Sequence, residues 1–326
     1  MPLYRQEVSL YTAIPSMALS YGQGLMDSLQ ERAGDVVLQH GDASSDSSWA
    51  RVIAQHDSRN ASRLGVYGDK GPSYTDNTFA VQAGADLYRG QHDHGSDIAG
   101  VYIALGQIAG DVRHFDGVNA GHDQLNGYTL GGYWTHVGAS GWYTDTVVQG
   151  TGYNIKASST QMAPLKTNGR GFAASLEGGY PVALGNGWVF VPQAQLVYQT
   201  ASFNDSSDAA SSVYFDNAHS LAGRVGSEAK RSWTLGNDIA QPRSISTWLR
   251  VDLWREFMAN PGVAFSTPTT PVSFHSNLQG SWVGLRAGMT AEVARNVFVY
   301  ANVGYDMGVS NHGDGYGGRA GVRVSW

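Results

Sequence analysis

The chain has 326 residues, a formal net charge of −6 and no cysteine. The missing thiols exclude cysteine nucleophiles and thiolate metal sites, and the acidic balance without clustered Lys/Arg excludes nucleic acid as a partner. Charged residues are only 15% of the chain and glycines number 42, against about 25% charge in an ordinary soluble domain. No apolar run reaches the roughly 18 residues of a transmembrane helix. Hydrophobicity spread this thinly suits segments that alternate between lipid and water. The start Met1-Pro2-Leu3-Tyr4-Arg5 has no basic region followed by an apolar one, so an exported protein would here be read as a fragment.

In chain order, the first element is helical. Ile14, Met17, Tyr21, Leu25 and Leu29 recur at three- and four-residue spacing, with Ser16, Gln23, Asp27 and Gln30 between them, which predicts an amphipathic helix over residues 14–32. Pro15 fits its first turn and Gly34 stands just past its end. Such a helix spans roughly 27 Å, close to the hydrocarbon thickness, as a helix threaded through a barrel requires. The polar stretch 41–48 reads as a linker.

After Trp49 the period changes to two. Phe79, Val81, Ala83, Ala85 and Leu87 share one face against Gln82 and Asp86; Trp188, Phe190, Leu196 and Tyr198 share one against Gln193, Gln195 and Gln199; Phe172, Leu176 and Tyr180 share one against Ser175 and Glu177. An apolar face with aromatic ends and a polar opposite face is the alternation of a transmembrane strand. Twelve candidate strands follow, near 49–59, 77–89, 97–110, 123–137, 141–153, 169–183, 187–203, 219–231, 245–257, 280–291, 296–308 and 315–326. Long connections at 60–76, 111–122, 154–168, 204–218 and 258–279 alternate with short ones at 90–96, 138–140, 184–186 and 292–295. An even strand number with short turns at one end and long loops at the other predicts an all-β fold: a twelve-stranded antiparallel outer-membrane barrel. The connection at 232–244 is too long for a tight turn and reads as a misplaced boundary or a decorated turn. Tyr316, Val322, Val324 and Trp326 form one face of a last strand that ends on an aromatic, with Arg319 and Arg323 opposite.

These segments resemble the autotransporters, the pertactin-like group of type V secretion. The carriers are Leu10-Tyr11-Thr12-Ala13-Ile14-Pro15-Ser16 leading into Leu29-Gln30-Glu31-Arg32-Ala33-Gly34, then Gly141-Trp142-Tyr143-Thr144-Asp145, Ala174-Ser175-Leu176-Glu177-Gly178-Gly179-Tyr180, Pro192-Gln193-Ala194-Gln195-Leu196 and Gly223-Arg224-Val225-Gly226. The terminal Trp326 departs from the Phe commoner in the family. The resemblance implies that residues 1–12 are a passenger junction, 13–34 a pore-spanning helix, 35–48 a linker and 49–326 the barrel. It further implies a translocator of the Gram-negative outer membrane that exports an N-terminal passenger to the extracellular side. The expected partners are that passenger, outer-membrane lipid and lipopolysaccharide, and the barrel assembly machinery, which reads the last strand at Tyr316, Val322, Val324 and Trp326. A monomer without cofactor or metal is expected.

Glu31, Arg32, Asp145, Glu177, Gln193, Gln195 and Arg224 fall on lumen or helix positions and are the candidates for anchoring the helix as a plug. Some members of the family cut themselves through a helix asparagine, but the first asparagine here is Asn60, so the helix lacks that route. His92, Asp93, His94 and Asp97 read as a solvated periplasmic turn rather than a metal site. An outer-membrane protease or esterase is the rival enzyme reading, with His114, Asp116, His122 and Asp123 its nearest set of groups. A diffusion porin is the other rival, and it would not need the helix.

Overall fold

The computed structural model describes residues 4–35, 46–60, 65–68, 71–235, 243–310 and 313–326. Two helical pieces come first, α1 (Gln6–Met26) and α2 (Leu29–Ala33). Twelve long strands follow: β1 (Ser47–Arg59), β2 (Ser73–His92), β3 (Gly95–Arg113), β4 (Asn119–Gly138), β5 (Tyr143–Ser159) and β6 (Leu165–Gly179), then β7 (Trp188–Phe203), β8 (Ala218–Leu235), β9 (Arg243–Glu256), β10 (Gly280–Ala294), β11 (Val297–Ser310) and β12 (Asp314–Ser325). Each pairs antiparallel with its chain neighbour, and β12 returns to β1 in register from Ser47↔Ser325 to Ser58↔Asp314. The ring has no open edge, so its backbone groups are satisfied in lipid.

Alternation assigns the faces. On β9, Leu249, Val251 and Leu253 are about half exposed, whereas Arg250 and Asp252 are each 1% exposed. The apolar set lies on the lipid face and the charged set in the lumen. Phe79, Val81, Leu87, Phe172, Leu176, Tyr180, Leu196 and Tyr198 are likewise exposed, while Gln82, Asp86, Ser175, Glu177, Gln193, Gln195 and Gln199 are buried.

The strands run further than the sequence predicts, and the loops shrink accordingly. The connections expected at 111–122 and 154–168 reduce to 114–118 and 160–164, because the pairing continues beyond the lipid-facing apolar residues. Backbone hydrogen bonding does not need an apolar face, so hydropathy underestimates strand length where polar residues continue the ladder. β8 reaches Leu235 and β9 begins at Arg243, so the boundary at 232–244 is displaced; its remainder, 236–242, lies outside the described residues. Most of the linker expected at 35–48 also lies outside them, and Ser47 and Ser48 belong to β1. The longest outer loops are not irregular: Ser206–Ser207, Ser212–Phe215, Gly262–Phe265 and Val272–His275 pair into a small second sheet.

The helix departs from expectation in three ways. It starts at Gln6, ahead of the boundary placed at residue 13, and Pro15 sits inside it. It breaks at Asp27, which takes φ 46°, and restarts at Ser28 with a capping box in which the Ser28 side chain and Glu31 cap each other. And it has no wet face: 18 of its 21 residues are buried. The first and third follow from enclosure, since a helix surrounded by a wall packs on every side and packing overrides the cost of an internal proline, and the restart follows from the capping box. At a rise of 1.5 Å its 21 residues span about 31 Å, the depth of the hydrocarbon layer.

Candidate functional site

The helix occupies the lumen, and wall and helix are complementary along its length. In the middle, the wall gives way to glycine: a Cβ on Gly127 would stand 2.5 Å from the Tyr21 ring, so Tyr21 packs where β4 has no side chain. Wall side chains reach helix carbonyls there. Gln149 Nε2 donates to Gly22 O at 2.8 Å and Tyr153 Oη to Ala18 O at 3.1 Å.

Toward the end where the chain turns back, segment 27–35 is gripped by charge. Asp27 receives Arg319 through Nη2 at 2.6 Å and Nε at 2.7 Å, and Arg51 at 3.0 Å. Glu31 pairs with Arg250 at 2.6 Å and Arg286 at 3.3 Å. Arg32 Nη2 donates to both carboxylate oxygens of Asp145, at 2.6 and 2.7 Å, and the guanidinium lies over the Tyr133 ring. Asp35 meets Lys230 at 3.0 Å and accepts from Ser246 Oγ at 2.7 Å. The backbone is held as well: Leu29 N–H donates to Glu177 at 3.2 Å and Gln195 Nε2 to Asp27 O at 2.9 Å. Arg224 stands between Glu177 at 3.1 Å and Asp252 at 3.0 Å, and reaches Gln193 at 3.4 Å. Arg250 also donates to Asp252 at 2.8 Å. A continuous chain of ion pairs, most of them hydrogen-bonded, therefore runs from Glu31 through Arg250, Asp252, Arg224 and Glu177 back to the α2 N-terminus.

At the other end, where the chain leaves the barrel, the grip comes from the outer loops and combines aromatic packing with polar contacts. Tyr11 stacks on Phe265 at 6.0 Å and Tyr4 meets Phe274 edge-on at 4.9 Å. Arg5 pairs with Asp208 at 2.6 Å and lies over Phe265, and Ser9 Oγ and His114 Nδ1 hydrogen-bond at 2.6 Å.

The structure thus places all seven residues expected to line or hold the helix around segment 27–35, with Arg32 and Asp145 as a pair apart from the chain that joins Glu31, Glu177, Gln193 and Arg224. Sequence reasoning missed Arg51, Arg250, Asp252, Arg286 and the acids Asp27 and Asp35 as partners. The alternation Leu249-Arg250-Val251-Asp252-Leu253 was the signal for two of them. Ser28-x-x-Glu31 was the signal for the helix restart. Tyr316, Val322, Val324 and Trp326 are exposed on the lipid face of the closing strand. The histidine sets do not converge. His122 points outward to Asp111 at 2.9 Å while Asp123 is buried toward the lumen, and His92 and His136 flank Asp97 near the tight turn after β2.

These features define a class: a transmembrane β-barrel closed by the chain's own N-terminal helix, which enters from the loop end. The chain belongs to the autotransporter β-domain family, whose model matches residues 48–304. It is 28% identical over its full length to the adhesin BmaC autotransporter of Brucella suis, of which it covers 10%. It is 27% identical over 66% of its length to the pertactin autotransporter of Bordetella bronchiseptica, of which it covers 23%. It therefore spans a minor part of these relatives. The transport unit of AIDA-I from Escherichia coli superposes with TM-score 0.79 at 20% identity, covering 99% of this chain and all of that one. The translocator domain of NalP from Neisseria meningitidis does so with TM-score 0.68 at 14% identity, covering 98% and 99%.

Proposed function

We propose that this outer-membrane translocator, whose family exports an N-terminal passenger, holds here its closed state, with residues 4–35 as a plug fastened at both ends. The observation that carries this reading is the geometry of the helix. It fills the lumen, its N-terminus lies at the loop end, and its inner end is fixed by ion pairs to a wall whose lumen charges face it. A passenger continuing upstream of residue 4 would emerge on the cell surface.

The barrel acts as a conduit and anchor, and the wall charges facing segment 27–35, such as Asp145, Arg250 and Arg319, are committed to the plug. The last strand serves as the assembly signal: Tyr316, Val322, Val324 and Trp326 present an aromatic-ended apolar face to the machinery that inserts the barrel. Removing Trp326 is expected to lower the folded barrel recovered from outer membranes.

The test of orientation uses the cysteine-free background. Single cysteines replace Gln6, Gln161 and Asp93 in turn and are probed on intact cells with a membrane-impermeant maleimide. Gln6→Cys and Gln161→Cys should label, and Asp93→Cys should not. A labelled Asp93→Cys with a protected Gln6→Cys would reverse the reading.

A further inference from the structure

The lipid face of β4–β5–β6 carries a ladder of four outward rungs near the loop end. The innermost is Leu130–Gly150–Phe172 and the next Tyr128–Gly152–Arg170. Above them come Asn126–Asn154–Asn168 and then Gln124–Lys156–Lys166.

Each rung has a distinct chemistry. Gly150 and Gly152 have nothing within 4 Å of where a Cβ would stand, while Leu130, Tyr128 and Phe172 beside them are 65%, 55% and 47% exposed. The result is a shallow apolar channel one strand wide, with side chains for walls and bare backbone for a floor. The asparagine rung offers amide donors and acceptors. The outermost rung places two ammonium groups directly opposite each other, an arrangement that destabilises a sheet unless an anion lies between them.

The lysines are placed with unusual economy. The chain has four; Lys230 is buried against Asp35, Lys70 lies outside the described residues, and Lys156 and Lys166 form this pair. Both are exposed, and neither ammonium has an ion-pair or hydrogen-bond partner among the described residues. Arg170 sits two rungs below, with only a 3.4 Å contact to Ser202 Oγ. At about 3.4 Å per residue, the two cationic levels are separated by roughly 13 Å along the strand, with the amide rung between them.

We infer that this ladder is a binding site for a phosphorylated glycolipid of the outer leaflet, of the lipid A type. One acyl chain lies over Gly150 and Gly152, the sugar pair spans the asparagine rung, and its two phosphates meet Arg170 and the Lys156–Lys166 pair. Two separated cation levels suit an anion with a phosphate at each end of a disaccharide. A glycerophospholipid, with one phosphate close to its chains, can satisfy only one level.

The test uses the whole chain in phosphatidylcholine nanodiscs, doped in separate arms with diphosphorylated lipid A, dephosphorylated lipid A or phosphatidylglycerol, or supplied with soluble pyrophosphate. Retained lipid is counted by native mass spectrometry after detergent release, and folding of each variant is checked by heat-modifiable gel mobility. Wild-type chain should retain diphosphorylated lipid A and lose at least about tenfold of that retention in the Lys156→Gln/Lys166→Gln double variant. Gly152→Leu, which fills the channel and keeps every cation, should also reduce it, and Arg255→Gln, elsewhere on the rim, should not. The dephosphorylated arm needs no variant and should show no retention. Equal retention of dephosphorylated lipid A or phosphatidylglycerol overturns the proposal, as does full retention by folded Lys156→Gln/Lys166→Gln. Displacement of lipid A by pyrophosphate alone would show a phosphate site without a lipid seat and also overturns it.

Discussion

The two ends of the plug are held by different means. The inner end, residues 27–35, is fixed by directional ion pairs to a rigid wall: each acid or arginine of the segment has a barrel counter-charge within about 3 Å. The outer end is fixed to loops rather than to the wall, by aromatic packing of Tyr11 on Phe265 and Tyr4 on Phe274 together with the Arg5–Asp208 ion pair. A wall of alternating strands can present buried charges at set heights, and buried charges must be paired to be tolerated. Loops cannot hold positions so closely, so the outer end uses contacts that survive small displacements. The lesson is that the inner grip should act as a lock, lost in single steps, and the outer grip as a bearing that loosens gradually.

The largest effect is expected from breaking the lock. Glu31→Ala removes the plug carboxylate from Arg250 and Arg286, which keep Asp252 and Asp306, and should destabilise the seated plug by about 3 kcal/mol, the low end for a broken buried pair, read as a rise in open-channel events in planar bilayers. Glu177→Ala with Arg224→Ala interrupts the same chain and should also raise conductance. At the bearing, Tyr11→Ala removes a buried ring and should cost about 3 kcal/mol, seen in hydrogen exchange of the first α1 turns with α2 unaffected. Between the two, Gly127→Ala pushes a methyl into Tyr21 and should cost about 1–3 kcal/mol, read from the denaturant midpoint.

The smallest effect separates the ends by pH. Burial pushes the Asp208 carboxyl up, but the N–H groups of Ala210 and Ser211 and the Arg5 guanidinium outweigh it and hold it below its usual range. Burial pushes the His114 imidazole down. Both contributions are complete above the ordinary values of these groups and are lost as pH falls through the lowered ones. Mild acid should therefore lower the protection of Gln6–Thr12 against hydrogen exchange, measured relative to the slower intrinsic exchange at that pH. An equal loss of protection at residues 29–33 would contradict the division between the ends.

Much of this was legible in the sequence, and the reasons are specific. A period of two with aromatic ends is imposed by lipid on one side, so the twelve strands and their faces could be read from residues such as Phe79 and Gln82. Glu177, Arg224 and Arg32 could be assigned to the lumen because alternation fixes parity. Their pairing could not, because the relative height of elements that are not chain neighbours, such as β6 against β8 or α2 against β5, is not written in either element alone. The helix start was hidden for a related reason: residues 6–13 show no amphipathic stripe, since every face of the helix meets a wall. The second sheet over the plug was illegible because its strands are two to four residues long and pair across separate loops.

The most direct measurement of the central claim is single-channel conductance of the intact chain beside a version lacking residues 1–35. A plug fastened at both ends predicts that the intact barrel stays closed for most of the record, and that the truncated barrel conducts steadily at a much higher level. Equal conductance from the two would show that the helix does not close the lumen and would contradict the account.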